Sequence, residues 1–197
     1  MGIFDKLFRR REKISALAAA FELSQSLYDL CVDTGVEISK RCGQITDEAQ
    51  WQLLDELLAF AYHVCDRHAF GLFGPVNRSI FMDLLLEGIR ARYAEELKRL
   101  AKDDRFREEN YVEAQCLNLI KFLDTRQAEY GKYPKLADNE PAGTLCWDLS
   151  KSIAKNFFAR DVHNTLFIYV DIMALFVSLG EVFNTLEKKF EIVFSTL

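Results

Sequence analysis

The chain is poor in the residues that make turns. Its 197 residues include three prolines and nine glycines, too few for a sheet of short strands joined by tight turns. Positive charge is scarce as well. Lys and Arg number 25 against 30 Asp and Glu, a net charge of −5. A nucleic-acid binder gathers a basic excess on one face, and the only concentrated basic run is Arg9, Arg10 and Arg11. No nucleic-acid partner is expected. The five cysteines, Cys31, Cys42, Cys65, Cys116 and Cys146, include no Cys-x-x-Cys pair, so zinc knuckles and thioredoxin-like redox motifs are absent. Their odd number and wide spacing suit a reducing compartment.

Several chemistries lack their signatures too. There is no Gly-x-Ser-x-Gly, no Gly-Lys-Ser/Thr after a glycine-rich loop, no His-Glu-x-x-His and no Glu-x-x-His, so serine hydrolases, P-loop enzymes, zinc peptidases and di-iron bundles have no support. The acidic pairs Asp103-Asp104 and Glu108-Glu109 read as a solvated surface. The first residues contain no apolar stretch of signal-peptide length. The longest apolar run, Leu166–Leu179, is too short to span a bilayer and carries Asp171. The expected setting is soluble and cytoplasmic, with no metal and no cofactor.

What the chain has is apolar side chains at helical spacing: half its residues are apolar and 28% are charged. Ile14–Arg41 places Leu17, Phe21, Ser24, Leu27, Tyr28, Cys31, Gly35 and Ile38 on one stripe. Ser24 and Gly35 within it predict close approach of a neighbouring helix, and Gly43 is a stop. Thr46 caps a second helix to Phe70. The segment 71–75 turns the chain into a third, which buries Met82, Leu85, Leu86, Ile89, Tyr93, Leu97 and Leu100. A fourth runs over 105–130 and stops at Gly131, followed by a loop (132–140) that Tyr130, Tyr133 and Leu136 can pin down. Pro141 opens a fifth helix, to Ala159, whose Trp147 points away from the apolar stripe. Asp161 or Asn164 caps a sixth, to Phe194, separate from the fifth or joined to it across a kink. Between Leu166 and Phe183 this last helix is apolar on nearly every side, which predicts the central, most buried helix. The reading is all-α: a single-domain bundle of about six helices (14–197) with a central apolar C-terminal helix, preceded by an amphipathic N-terminal segment (1–13).

That segment, MGIFDKLFRRREK, admits two readings. It is a weak peripheral membrane contact, with Phe4 and Phe8 dipping below the headgroups and Arg9, Arg10 and Arg11 meeting anionic lipid. Or it is a terminal turn packed on the bundle. Lys6 breaks the N-myristoylation pattern.

The motif HVCDRHAF (63–70) holds two of the three histidines. At 100° per residue His63 and His68 lie roughly 140° apart, so one undistorted helix cannot turn both to one metal. His63 falls beside Glu56 and Arg67 and is expected on the surface. His68 falls in the apolar sector and is expected inside, where it needs a partner. Asp171 has the same need, so a His68–Asp171 contact is predicted. It would be a structural polar pair or a general base in a pocket. The phenylalanines gathered in the last two helices make a bulky core or line an apolar cavity, in whose haem version His68 would be the axial ligand.

Two functions remain. The leading one is a non-enzymatic module acting by protein contact, its partner another protein or a second copy. The rival is a small-molecule-binding or enzymatic bundle with a pocket near His68 and Asp171. No catalytic residue is assigned.

Overall fold

A computed structural model describes residues 11–100, 109–158 and 162–194. They form five helices and one pair of short parallel strands: β1 (Glu12–Ser15), α1 (Ala16–Cys42), α2 (Asp47–Leu100), α3 (Glu109–Tyr130), α4 (Leu145–Phe157), α5 (Val162–Lys189) and β2 (Phe190–Val193). The class is all-α. Five helices stand where six are expected, because the second and third meet at a single residue. Gly74, at φ 71° and ψ 178°, breaks the ladder in a region closed to most side chains, and Pro75 reopens it at a first helical position, where its missing N–H is harmless. The two limbs of α2 then run antiparallel. Trp51 meets Tyr93 edge-on with ring centres 5.3 Å apart, and the Tyr62 hydroxyl donates to the Met82 carbonyl at 3.4 Å. Asp66 accepts from both Nε (2.7 Å) and Nη2 (2.5 Å) of Arg78.

α1 packs along α2 on one side and α5 on another. The closest crossing lies at Ser24, as its small side chain predicts, and the partner there is Gly88. A Cβ on Gly88 would stand 2.4 Å from Ser24 Oγ and 2.7 Å from Ser24 Cβ. Gly35 makes only an ordinary approach, to Leu57. Leu17 and Phe21, expected inward, are exposed, and Ala19, Ala20 and Leu23 take their place. The helix begins at Ala16 rather than Ile14. Ser15 caps it by accepting from the Ala18 N–H at 3.1 Å, and the preceding residues extend into β1. Glu12, Lys13, Ile14 and Ser15 pair with Phe190, Glu191, Ile192 and Val193, which corrects the expectation that the last helix reaches Phe194.

α3 packs on α2, and α4 packs on α5. Thr144, not Pro141, opens α4, its hydroxyl accepting from the Trp147 N–H. Trp147 meets Tyr169 of α5 edge-on at 5.4 Å. The linking loop is held as expected, with Tyr130 buried and Tyr133 and Leu136 packed on the core.

The largest correction concerns which helix is central. Glu56 through Ala61 are six consecutive buried residues, so the first limb of α2 is wrapped on all sides at its middle. α5 is not. Its inner stripe, Ile168, Ile172, Leu175, Leu179, Phe183 and Leu186, is buried. Its outer side leaves Val162 72%, Val170 55%, Val177 52%, Phe167 46% and Leu166 45% exposed. By length and composition α5 is the one helix among the described residues that meets the criterion for crossing a membrane, and a third of its most apolar window is buried within the bundle.

Candidate functional site

The motif that looks most like chemistry is structural. His63, expected on the surface, is 4% exposed. The reason is α3, which covers the side of the helix that Glu56 and His63 share. Arg67 Nε donates to His63 Nε2 at 3.2 Å, so that nitrogen is the acceptor. Nδ1 therefore carries the proton and donates to Gln127 Oε1 at 2.7 Å. Gln127 in turn donates to the Ala59 carbonyl at 3.2 Å. Burial, reinforced by the Arg67 charge, holds the imidazole neutral by lowering its pKa, with the Gln127 bond opposing. Arg67 continues to the Tyr133 and Pro134 carbonyls, fastening the loop after α3. Two turns below His63, Glu56 accepts from Arg126 and from the Tyr130 hydroxyl at 3.2 Å. Apart from the Arg67–His63 bond within α2, these contacts join α2 to α3 or to the loop after it.

His68 and Asp171 do not meet. His68 is half-buried and stacks on Phe183, ring centres 5.1 Å apart and planes 19° from parallel. Its Nε2 lies 4.0 Å from where a Cβ on Gly180 would be. Gly180 is nine residues beyond Asp171, about 13 Å along the helix axis. Asp171 instead pairs with Arg41 of α1 at 3.2 Å. Burial raises its pKa against the pull of Arg41, and its Oδ2 has no hydrogen-bond partner among the described residues. Each residue found a partner on its own level of the bundle, so no shared pocket forms between them. Phe4, Phe8, Arg9 and Arg10 of the membrane-contact reading lie outside the described residues; Arg11 is exposed. No three His, Cys, Asp or Glu side chains converge as a metal set among the described residues.

Two features escaped the sequence reading. The first is an open groove of about 1080 Å³ between the C-terminal half of α1 and the two ends of α2, lined by Tyr28, Val36, Trp51, Leu54, Arg92 and Glu96. Its guanidinium groups are already engaged. Arg92 pairs with Asp29, Glu95 and Glu96 at 3.3–3.6 Å and lies 5.6 Å from the Tyr28 ring centre; Arg99 pairs with Glu96 at 2.7 Å. Asp55 packs beside this cluster. Burial pushes its carboxyl up to about 7 despite a hydrogen bond from Tyr93, and its Oδ1 has no partner among the described residues. A signal existed in the spacing: Asp55 precedes the apolar Leu58 and Ala59 by three and four residues on one helix face.

The second feature is the outer face of α5. Its exposed positions His163, Phe167, Val170, Ala174, Val177 and Glu181 alternate spacings of four and three, the seam pattern of a helix that packs against another helix. No Lys or Arg occurs between Val162 and Glu187.

Fold and surface together define an all-α bundle that presents an uncovered apolar helix face among the described residues. No protein-family model matches the chain, and no curated protein or solved structure matches it significantly.

Proposed function

We propose that the protein is a helical contact module that works by docking a protein partner on the outer face of α5, without catalysing a reaction. The observation that carries this reading is that face itself. A helix apolar all round is stable in water only when every side is covered. Here α1 and α4 cover part of it, and Leu166, Phe167, Val170 and Val177 remain in solvent. Contiguous exposed apolar surface rimmed by polar residues marks interaction sites. Buried Glu56 and His63, by contrast, are occupied in holding α2 to α3.

The test is site-specific photocrosslinking in the source cells. A benzophenone side chain at position 170 or 177 is expected to capture protein, and the same group at the exposed Lys151 of α4 is not. Position 170 capturing no more protein than position 151 would defeat the reading.

The groove beside Trp51 favours a second reading, a site for a small ligand with one aromatic or apolar face, since its apolar lining converges with Glu96 and Arg92. Native mass spectrometry of the purified chain would then show a bound species that Trp51→Ala loses. An identical spectrum for both proteins would remove this reading.

A further inference from the structure

We infer that the partner of the α5 face is a second copy of the same chain, packed as an antiparallel helix pair about a two-fold axis. This rests on the reading of α5 as a protein-docking face and deepens it.

The argument is one of self-complementarity. A two-fold interface uses the same patch twice, so the patch must match itself when reversed. Reversing the exposed seam about the level of Ile172 sets Phe167 against Val177, Val170 against Ala174, and His163 against Glu181. Each pair joins the two alternating classes of seam position, as antiparallel coiled-coil packing requires. The chemistry matches at every level. A large aromatic faces a smaller β-branched side chain. The small Ala174 lies near the axis, where the backbones approach most closely, opposite Val170. At each end an imidazole, which can donate a hydrogen bond, faces a carboxylate. A parallel pair would set Glu181 against Glu181 and Phe167 against Phe167, and would lose both matches.

Size agrees with a modest dimer. From their exposures Leu166, Phe167, Val170 and Val177 offer roughly 350 Å² per copy, so a pair brings together about 700 Å², which His163, Ala174 and Glu181 of the same seam extend toward about 1,000 Å². That is near the floor for a specific interface, and it predicts association in the micromolar range. A membrane is the less favoured occupant. A helix lying on a bilayer carries Lys and Arg along its polar flanks, and α5 has neither until its last turn, at Lys188 and Lys189.

The experiment uses the full chain. Sedimentation velocity from about 1 to 200 μM is expected to show a shift from one chain of 22.8 kDa toward two. Val170→Asp, at an exposed position, should leave circular dichroism unchanged and hold the mass at one chain. Register is read separately by oxidising single variants with oxidised glutathione. Val170→Cys mixed with Ala174→Cys should form the intermolecular disulfide several times faster than either variant alone, with Lys151→Cys as the off-face control. A wild-type chain that stays single at 200 μM overturns the dimer. If position 170 still captures a different protein in cells, the docking reading stands without it. A dimer indifferent to Val170→Asp places self-association on another face and overturns the inference. So does a single chain that pellets with anionic vesicles and is released by Val170→Asp, an outcome that defeats the protein-docking reading as well.

Discussion

The first limb of α2 and α5 are opposites. The limb carries Asp55, Glu56 and His63 and is nevertheless wrapped on all sides over 56–61. α5 is apolar almost throughout and leaves one face in water. Composition alone ranks them the other way round. The difference shows that position in a bundle is set by the partners each face finds, not by a helix's mean hydropathy. Glu56 tolerates burial because Arg126 and Tyr130 reach it. Phe167 and Val170 stay outside because no element among the described residues reaches them.

The largest expected effect breaks the polar side of that contrast. Arg126→Ala leaves the Glu56 carboxylate 5% exposed without its cation, and removing one partner of a buried pair costs about 3–5 kcal/mol. Urea unfolding should show the loss, and the double variant Arg126→Met with Glu56→Leu should recover much of it. A loss under 1 kcal/mol for Arg126→Ala would mean that the pair does not hold α3 to α2.

Asp55 comes next and carries a pH signature. The unfolded chain releases this proton near the ordinary carboxylate value, whereas the fold keeps it until about pH 7. The group therefore costs nothing below about pH 4, and stability falls as the pH rises to 7. Asp55→Asn should remove that slope and stabilise the protein at pH 8 by on the order of 2–4 kcal/mol. His63 acts in the opposite sense. Its lowered pKa means stability is present above about pH 6.5 and declines as the pH falls below it. Thermal melts of wild type and Asp55→Asn from pH 4 to 8 separate the two. Parallel curves would refute the assignment to Asp55.

A smaller effect tests the crossing of α1 and α2. Gly88→Ala gains helix propensity of roughly 1 kcal/mol but drives a methyl into Ser24, where overpacking costs about 1–3 kcal/mol. A net loss of about 1 kcal/mol is expected, and Ser24→Gly in the same chain should reverse it. A stabilised Gly88→Ala protein would show that the helices do not touch there.

The sequence made the amphipathic stripes, the turn at Gly74 and Pro75 and the cap at Thr46 legible, since each is written within a few residues. Ser24 announced a close crossing, although Gly88, 64 residues away, did not announce itself as the partner. The strand pair had no local mark: EKIS and FEIV are four residues each and join positions 178 apart. The burial of His63 is not legible, because its own helical wheel cannot show that α3 lies over it. His68 and Asp171 share a need for a polar partner, and need does not fix height along a bundle. The bare face of α5 was read as buried for a related reason, since an all-round apolar pattern says that something covers each side without saying that it belongs to the same chain.

The smallest effect on stability belongs to Val170→Asp, within about 0.5 kcal/mol of wild type as expected for an exposed site, and its effect on association should be the largest of all. The claim beneath that contrast is that α5 is covered in the cell and bare in isolation. Maleimide labelling of Ala174→Cys tests it most directly, comparing intact cells with nanomolar purified protein and taking Lys151→Cys as the reference for reagent access. The account predicts that position 174 is labelled as fast as position 151 in the dilute protein and many times more slowly in cells. Equal rates at the two positions in both settings would contradict it.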